Sequence, residues 1–538
     1  MEYDFIVIGA GSAGCVIATR LAEAGATVAL LEAGGPDHHP FIHIPAGVGN
    51  LVYNSKFNWM YSSEPEDSVH GRRIHTPRGK VLGGSSSING MLYVRGNRAD
   101  YDGWAQSGCT GWSFDEVLDL FKKSEHYVSG GDCRYRGQGG PLRVENYRTI
   151  LPLTHLFVKA AQEAGFPFTN DMNGESQEGV GYSQMTRLGR FRGSTYRAFL
   201  ARAANRNNID IRTNTLVSSL ILEGRRCVGV RYVRDGVPGE LRPRQEVILS
   251  AGSINSPQIL QLSGIGDPQH LERVGVQPVV PMPEVGKNLA DHYTSRVVYR
   301  LKNIQTINEL ASGWRLVPEI FKFLFAGRGA LTFGVTASSV FCRSSDAVPY
   351  PDIQLLFTPA SYVFGKALIL DDKPGMTIAV CPTRPKSRGS VLISSKEPGV
   401  PPKIRFGYLS DLDDIDVMLA GIGHARNILN APSLAPYIVQ EIAPGTAITQ
   451  TKELVQFMRE QGGSLYHPVG TCAMGQSDTT VVDPTLKVRG IASLRVADAS
   501  VIPTLPTGNT NAPTIMIGER AAELILADAR SRHTNQGA

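Results

Sequence analysis

Three glycines near the N-terminus carry the first chemistry to be read from this chain. Gly9-Ala10-Gly11-Ser12-Ala13-Gly14 has the spacing G-x-G-x-x-G. In that spacing the first glycine permits a tight turn, the second lets backbone approach a pyrophosphate, and the third lets a helix pack close to a strand. Ser12 and Ala13 open the helix, whose free N–H groups and partial positive charge suit a phosphate. Glu32, followed by Ala33, stands just over 20 residues beyond Gly9, where a carboxylate can accept from ribose hydroxyls. These residues predict a dinucleotide site, and by themselves they do not separate FAD from NAD.

The elements that must position the motif are legible around it. Tyr3–Ile8 is a short β-branched and aromatic run and reads as a buried strand. Ala13–Ala24 has helical spacing at Val16, Ile17, Leu21 and Ala24, and Thr27–Leu31 reads as a second strand. Residues 36–100 are rich in Gly, Pro, His and Asn without periodicity, which marks them as functional rather than regular. Strand character returns in IDIRTNTLVSSLILEG, CVGVRYV and EVILSAG, the last running into a helix expected to be capped at Ser253 or Asn255. Strands are expected at TSRVVYRL, PDIQLLF, MTIAVCPT and GSVLISS, and helices over 153–164, 314–325, 411–429, 452–461 and 514–527.

Composition sets the outer bounds. A chain of 538 residues exceeds one ordinary core and suggests about two to four domain-sized units. With 42% hydrophobic and 19% charged residues it is globular in type, and its net charge of +5 is too small and too interleaved for a nucleic-acid partner. No apolar run is long enough to span a membrane, and the first residues lack a secretory signal. The chain is therefore expected in the cytoplasm, with peripheral contact with the inner membrane left open because a redox partner can be a membrane quinone. Seven scattered cysteines without a CxxC pair, and histidines without metal-ligand spacing, predict neither disulfides nor a metal; His38, His39 and His43 are no exception.

Four ordered motifs then point to a family. GKVLGGSSSINGMLYVRGNRADYD from Gly79, GSINSPQILQLSGIG from Gly252, YHPVGTCAMG from Tyr466, and LRVADASVIPTLPTGNTNAPTIMIGERAA from Leu494 together resemble the glucose–methanol–choline oxidoreductases, most of all bacterial choline dehydrogenase-like alcohol dehydrogenases. The resemblance implies an α/β chain (α+β overall), in which a Rossmann-like FAD-binding domain carries an inserted substrate domain on a largely antiparallel sheet. It divides the chain into a FAD-binding part (1–150, 205–290 and 466–538) and a substrate-binding part (151–204 and 291–465).

Carried over by position, Gly83, Gly84, Ser85, Asn89, Gly90 and Met91 would run along the flavin and its pyrophosphate. Val217 would touch the adenine side, Asp498 and Ala499 would lie near the ribityl and phosphate, and Tyr466 and Asn509 would line the flavin face. Some members bind FAD covalently through a histidine in the first signature. Ile88 holds that position here, so noncovalent FAD is expected.

The resemblance also implies the reaction: FAD-dependent oxidation of an alcohol CH–OH to an aldehyde or ketone. His467 would be general base, its ordinary pKa lying near working pH. Asn511 would donate to the substrate oxygen. A flavin-containing lyase of cyanohydrin type and an oxidase using O2 are the alternatives within the family. The expected partners are a small alcohol and a quinone-like or other electron acceptor. Which alcohol, which acceptor and which oligomeric state stay open.

Overall fold

The structure, a computed structural model, describes residues 2–363 and 368–536. Tyr3–Ile8 lies at the centre of a five-stranded sheet whose order is Ile209–Arg212, Val28–Leu31, Tyr3–Ile8, Pro243–Leu249, Leu494–Val496. Every pairing in it is parallel; Phe5–Ile8 aligns with Val28–Leu31 on one side and with Glu246–Leu249 on the other. Such a sheet needs both faces covered, which explains why its central strand is a nearly continuous apolar run. Its strands come from the start, the middle and the end of the chain.

Helix Ser12–Glu23 follows the first strand and packs against the last helix, Asn511–Gln536. The two approach closely because Gly518 has no side chain: a Cβ there would stand 3.0 Å from the Ala13 carbonyl oxygen. Arg20 and the buried Glu519 pair across the contact at 2.7 Å.

A second, antiparallel sheet has the order Ile438–Ala443, Tyr293–Leu301, Gly375–Pro382, Ile353–Thr358, Ser338–Cys342, Gly179–Tyr182, with Gly463–Ser464 added to the start of Tyr293–Leu301. Helix Leu412–Leu429 lies on it, with Gly421 admitting the strand that carries Val380. This combination of a parallel sheet and a largely antiparallel one is the fold class expected from the sequence.

The structure departs from the sequence expectations in three places. The run IDIRTNTLVSSLILEG is not one strand: Ile209–Arg212 joins the parallel sheet and Thr215–Glu223 joins a three-stranded meander. Asn214 makes the break, at φ 52, a left-handed conformation that Asn tolerates. The helix after EVILSAG starts at Gly252, ahead of both expected caps. Ser253 instead donates to the Pro468 carbonyl and Asn255 to the Tyr61 hydroxyl. Finally, the region 314–325 changes pitch, from 3-10 over Gly313–Arg315 through α over Leu316–Phe321 to π over Lys322–Ala326.

The cysteines carry no disulfide: Cys133 is exposed and the other six are buried as free thiols. Among the described residues, no group of His, Cys, Asp and Glu is placed to hold a metal ion, and no helix is long and apolar enough to cross a membrane.

Candidate active site

The turn after the first strand is shaped by what its glycines leave out. Gly9 has φ 95, and a Cβ on it would lie 2.5 Å from the Ser250 carbonyl oxygen. A Cβ on Gly14 would lie 1.9 Å from the Gly9 carbonyl oxygen, so the helix can start there only without one. Gly11 differs: a Cβ on it would meet nothing within 4 Å, because it faces open space.

That space is a cavity of about 320 Å³, a size usual for small-molecule sites. Every sequence-predicted site residue lines it except Gly14 and Gly83. Those two stand back because each is a packing glycine; a Cβ on Gly83 would strike the Ser87 hydroxyl at 2.3 Å.

The second glycine-rich loop is laced onto the first. Gly83 N–H donates to the Ala10 carbonyl at 2.8 Å, and Gly84, at φ 53, packs on the first loop so closely that a Cβ on it would lie 2.7 Å from the Gly11 Cα. Ser85 accepts from Gly79 N–H, and Asn89 accepts from Met91 N–H at 3.0 Å. Buried Arg192 holds the same loop by donating to the Asn89 carbonyl at 2.6 Å.

Glu32 ends its strand inside this cradle. Its carboxylate accepts from Ala10 N–H at 2.9 Å and from Gly34 N–H at 2.8 Å. Burial pushes its pKa up to about 7, against those two bonds and the Lys80 charge. Asp498 is likewise raised by burial; it accepts from Gly252 N–H at 2.8 Å and from the Ser256 hydroxyl at 2.6 Å.

Pro257 explains how the C-terminal motif reaches this wall. Lacking an N–H, it leaves the Ser253 carbonyl without its helical donor. The Thr471 hydroxyl takes that carbonyl at 2.7 Å.

His467 also lines the cavity, buried, just after Tyr466, which is held at φ 68. A left-handed tyrosine is costly, and the surroundings impose it. The Arg78 guanidinium donates to the Tyr466 carbonyl at 2.6 Å, and the Ser464 hydroxyl accepts from Tyr466 N–H at 2.7 Å. Asp291 accepts from His467 N–H at 2.6 Å, and takes the hydroxyls of Tyr408 and Ser464 on its other oxygen.

Three hydrogen bonds fix the protons on the ring. The Thr383 carbonyl can only accept, so His292 Nε2, 3.0 Å away, carries the proton of that bond. Burial lowers the His292 pKa to about 4, so the ring is neutral and its Nδ1 is an acceptor. That atom lies 2.9 Å from His467 Nδ1, which must therefore bear the proton. His467 Nε2 is left with its lone pair, 3.0 Å from Asn509 Nδ2. Burial, then the neighbouring His292 and Arg78, push the His467 pKa well below its ordinary value. The ring is a neutral acceptor at neutral pH.

The asparagine beside this base is Asn509, not Asn511. Asn511 begins the last helix, and its Oδ1 accepts from the Ser12 hydroxyl at 2.7 Å, turning it toward the dinucleotide loop. Asn509 Oδ1 is buried and has no hydrogen-bond partner among the described residues. Asp291 and His292 are not among the residues that the sequence singles out for the site. The adjacent pair in Asp291-His292-Tyr293 was their only signal.

A dinucleotide cradle and a neutral, proton-accepting histidine lining one cavity define an oxidoreductase with a bound dinucleotide cofactor. Comparison with known proteins agrees. The family model for the N-terminal part of the GMC oxidoreductases matches residues 3–294, and that for the C-terminal part matches residues 385–518. An alcohol dehydrogenase [acceptor] of Pseudomonas putida is 42% identical over 531 residues, covering 97% of this chain and 96% of the relative. An oxygen-dependent choline dehydrogenase of Vibrio vulnificus is 42% identical over 534 residues, covering 98% and 94%. Among solved structures, pyridoxine 4-oxidase of Mesorbium loti superposes with a TM-score of 0.89 at 29% identity, covering 97% of this chain and 99% of that one. A formate oxidase of Aspergillus oryzae does so at 0.91 and 27%, covering 98% and 99%.

The chain belongs to the GMC oxidoreductase family and is an FAD-dependent enzyme acting on CH–OH donors. The residues present fit that cofactor. Gly11 leaves room where backbone must approach a pyrophosphate, the helix from Ser12 offers its N-terminus, and the cavity continues unbroken to His467.

Proposed function

We propose that this protein oxidises an uncharged, largely aliphatic alcohol to the carbonyl compound, with His467 as base. The single observation that carries the proposal is the unprotonated Nε2 of His467, fixed by the chain of hydrogen bonds that starts at the Thr383 carbonyl and facing Asn509 Nδ2 at the cavity wall. A neutral imidazole of depressed pKa takes the hydroxyl proton as the alcohol becomes a carbonyl. Bound FAD supplies the acceptor for the hydride from carbon. Asn509 Nδ2 donates to the substrate oxygen while charge grows on it, the role first expected of Asn511. Asp291 holds the backbone of His467, and Arg78 holds that of Tyr466, so the ring does not reorganise during transfer.

The FAD-holding residues are those of the two glycine loops together with Glu32, Val217, Asp498 and Ala499. The division into a FAD-binding part (1–150, 205–290 and 466–538) and a substrate part (151–204 and 291–465) belongs to this reading. Ile88 is buried against Ile42 and Val81 and has no nucleophilic atom, which supports noncovalent attachment.

The substrate reading rests on charge. The carboxylates that line the cavity are Glu32 and Asp498, both engaged with backbone N–H groups of the cradle. The cations that line it are Arg78 and Arg296. The Arg296 guanidinium has no hydrogen bond or ion pair with any described residue, and its field reaches the Tyr362 and Tyr466 phenols. Val335, Leu356 and Ala379 add an apolar wall. A quaternary ammonium would meet two cations and no carboxylate beyond the two already engaged by the cradle, so the Pseudomonas alcohol dehydrogenase is the better guide to substrate than the choline dehydrogenases.

For the electron acceptor we favour a quinone-like molecule over O2. The test is anaerobic addition of aliphatic alcohols to the yellow holoprotein. Loss of the flavin bands supports the proposal, and slow return of colour on admitting oxygen supports a dehydrogenase. A yellow protein bleached by no alcohol sinks the proposal in favour of a lyase.

A further inference from the structure

The helical run from Gly313 to Ala326 carries an apolar face that no described residue covers. Trp314 is 78% exposed, Phe321 56%, Phe325 81% and Val317 51%. Leu324 and Ile320 are exposed beside them, and Phe321 stacks on Phe325 with ring centroids 6.0 Å apart. Only Phe323 and Glu319 of this stretch turn inward. An unpaired apolar surface of this kind marks an interaction site.

The charges around it are mostly basic toward solvent, with Arg315 paired to the half-buried Glu309 at 3.1 Å. The one acidic side chain of the segment, Glu319, is buried, where it accepts from Ala330 N–H and from Lys322. Arg315, Lys322 and Arg328 are exposed. Arg328 has no ion pair among the described residues, and Arg190 donates only to the carbonyls of Phe323 and Leu324.

The same surface continues to the cavity mouth. The turn Ala330–Thr332 packs on Pro45–Gly47, and the next residues, Val48 and Val52, line the cavity. Exposed Phe41, Tyr53, Val363 and Ile369 stand on the segments that supply Val48, Val52, Tyr362 and Leu368 to its wall.

We infer that residues 313–328 dock the protein on an anionic phospholipid bilayer. Trp and Phe suit the headgroup boundary, the aliphatic side chains enter beneath it, and the arginines and lysine meet lipid phosphates. A second copy of the chain is a poor occupant. A two-fold contact through this patch would bring the unpaired Arg190 and Arg328 of both copies into one interface without an acidic partner. Docking stands without the reading of the reaction. Its consequence rests on that reading: the mouth faces the bilayer, so a lipophilic alcohol or quinone-like acceptor enters without crossing water.

The test uses the full-length holoprotein with vesicles of phosphatidylglycerol and phosphatidylethanolamine, and with vesicles of phosphatidylcholine. The wild type is expected to sediment with the anionic vesicles and to be released by salt. The triple variant Trp314→Ser, Phe321→Ser, Phe325→Ser is expected to lose about tenfold or more in partitioning. Arg328→Glu weakens binding to the anionic vesicles alone. Flavin content and dye-coupled activity in solution stay at wild-type level in both, which shows that they fold. Equal sedimentation of wild type and triple variant, equal affinity for both vesicle types, or no binding at all overturns the inference. So does a wild-type dimer in analytical ultracentrifugation that the triple variant splits. Failure of alcohols to bleach the flavin would remove the activity control but leave vesicle sedimentation, flavin content and ultracentrifugation as readouts.

Discussion

His292 and His467 meet Nδ1 to Nδ1 at 2.9 Å, and the Thr383 carbonyl on the far side of His292 decides which ring owns the proton between them. His292 is thus a positioning residue: it presents an acceptor that keeps His467 Nε2 unprotonated toward the substrate.

The first prediction follows from that relationship. His292→Phe leaves His467 free to adopt either tautomer, and kcat should fall by up to about a hundredfold. The pH profile gives the sharper readout. The depressed pKa of His467 places the acid limb of wild-type kcat/KM well below 6.5, because the base is lost only when it is protonated. His292 is one of the groups that depress it, so the variant's acid limb should move upward. A variant with reduced rate and an unmoved limb would show only a packing role.

The two asparagines should separate cleanly. Asn509 Nδ2 lies at the base, and Asn509→Ala should slow anaerobic flavin reduction by about 10²–10³-fold. Asn511→Ala loses the bond from Ser12, a change of about 1 kcal/mol in holding the helix end to the dinucleotide loop. It should weaken flavin retention while leaving the reduction rate of bound flavin within a few-fold. Stopped-flow reduction and flavin content, measured on both variants, check the assignment.

The glycines of the fingerprint make a third pair. Gly11 has an ordinary backbone, and its missing Cβ faces the cavity, so Gly11→Val should fold with near-normal Tm and purify without colour. Gly14→Val forces a side chain onto the Gly9 carbonyl, where a Cβ has only 1.9 Å. That variant should lose about 3 kcal/mol or more and fail to accumulate. Thermal melts and visible spectra of the two proteins distinguish a cofactor glycine from a packing glycine.

How far the sequence reached can be judged from these residues. The first strand, the Gly9–Gly14 turn and Glu32 were legible because local spacing dictates each of them, and the structure assembles them around one cavity. The resemblance carries Asn511 to the second catalytic position and Asn509 to the flavin face, and nothing local in Gly508-Asn509-Thr510-Asn511 says which stands beside the histidine. In the structure Asn509 stands at His467 while Asn511, at the start of the last helix, accepts from Ser12, and both line the cavity. His292 and Thr383 lie 175 and 84 residues from His467 in sequence order, and antiparallel pairing across the second sheet joins their segments. Contacts of that range have no signature in a single sequence. The exposed face of 313–326 was read only as a helix, because its periodicity is the same whether the apolar side is covered or bare.

The last prediction concerns the cation in the cavity. Arg296 sits on the strand Tyr293–Leu301, opposite Ala379, and its guanidinium is unpaired among the described residues. At an effective dielectric near 20, a cationic substrate some ångströms away is repelled by a few kcal/mol before solvent screening, which leaves a discrimination of about tenfold or more in kcat/KM. Wild-type protein should therefore turn over medium-length aliphatic alcohols and reject choline. Arg296→Met keeps most of the aliphatic stem and removes the charge, so it should improve the choline-to-alcohol ratio by about the same factor. Preference for choline in the wild type, or a ratio that Arg296→Met leaves unchanged, would mean that the ammonium group never approaches this strand. The substrate would then have to lie against Trp59 and Tyr466, where aromatic faces rather than charge select it.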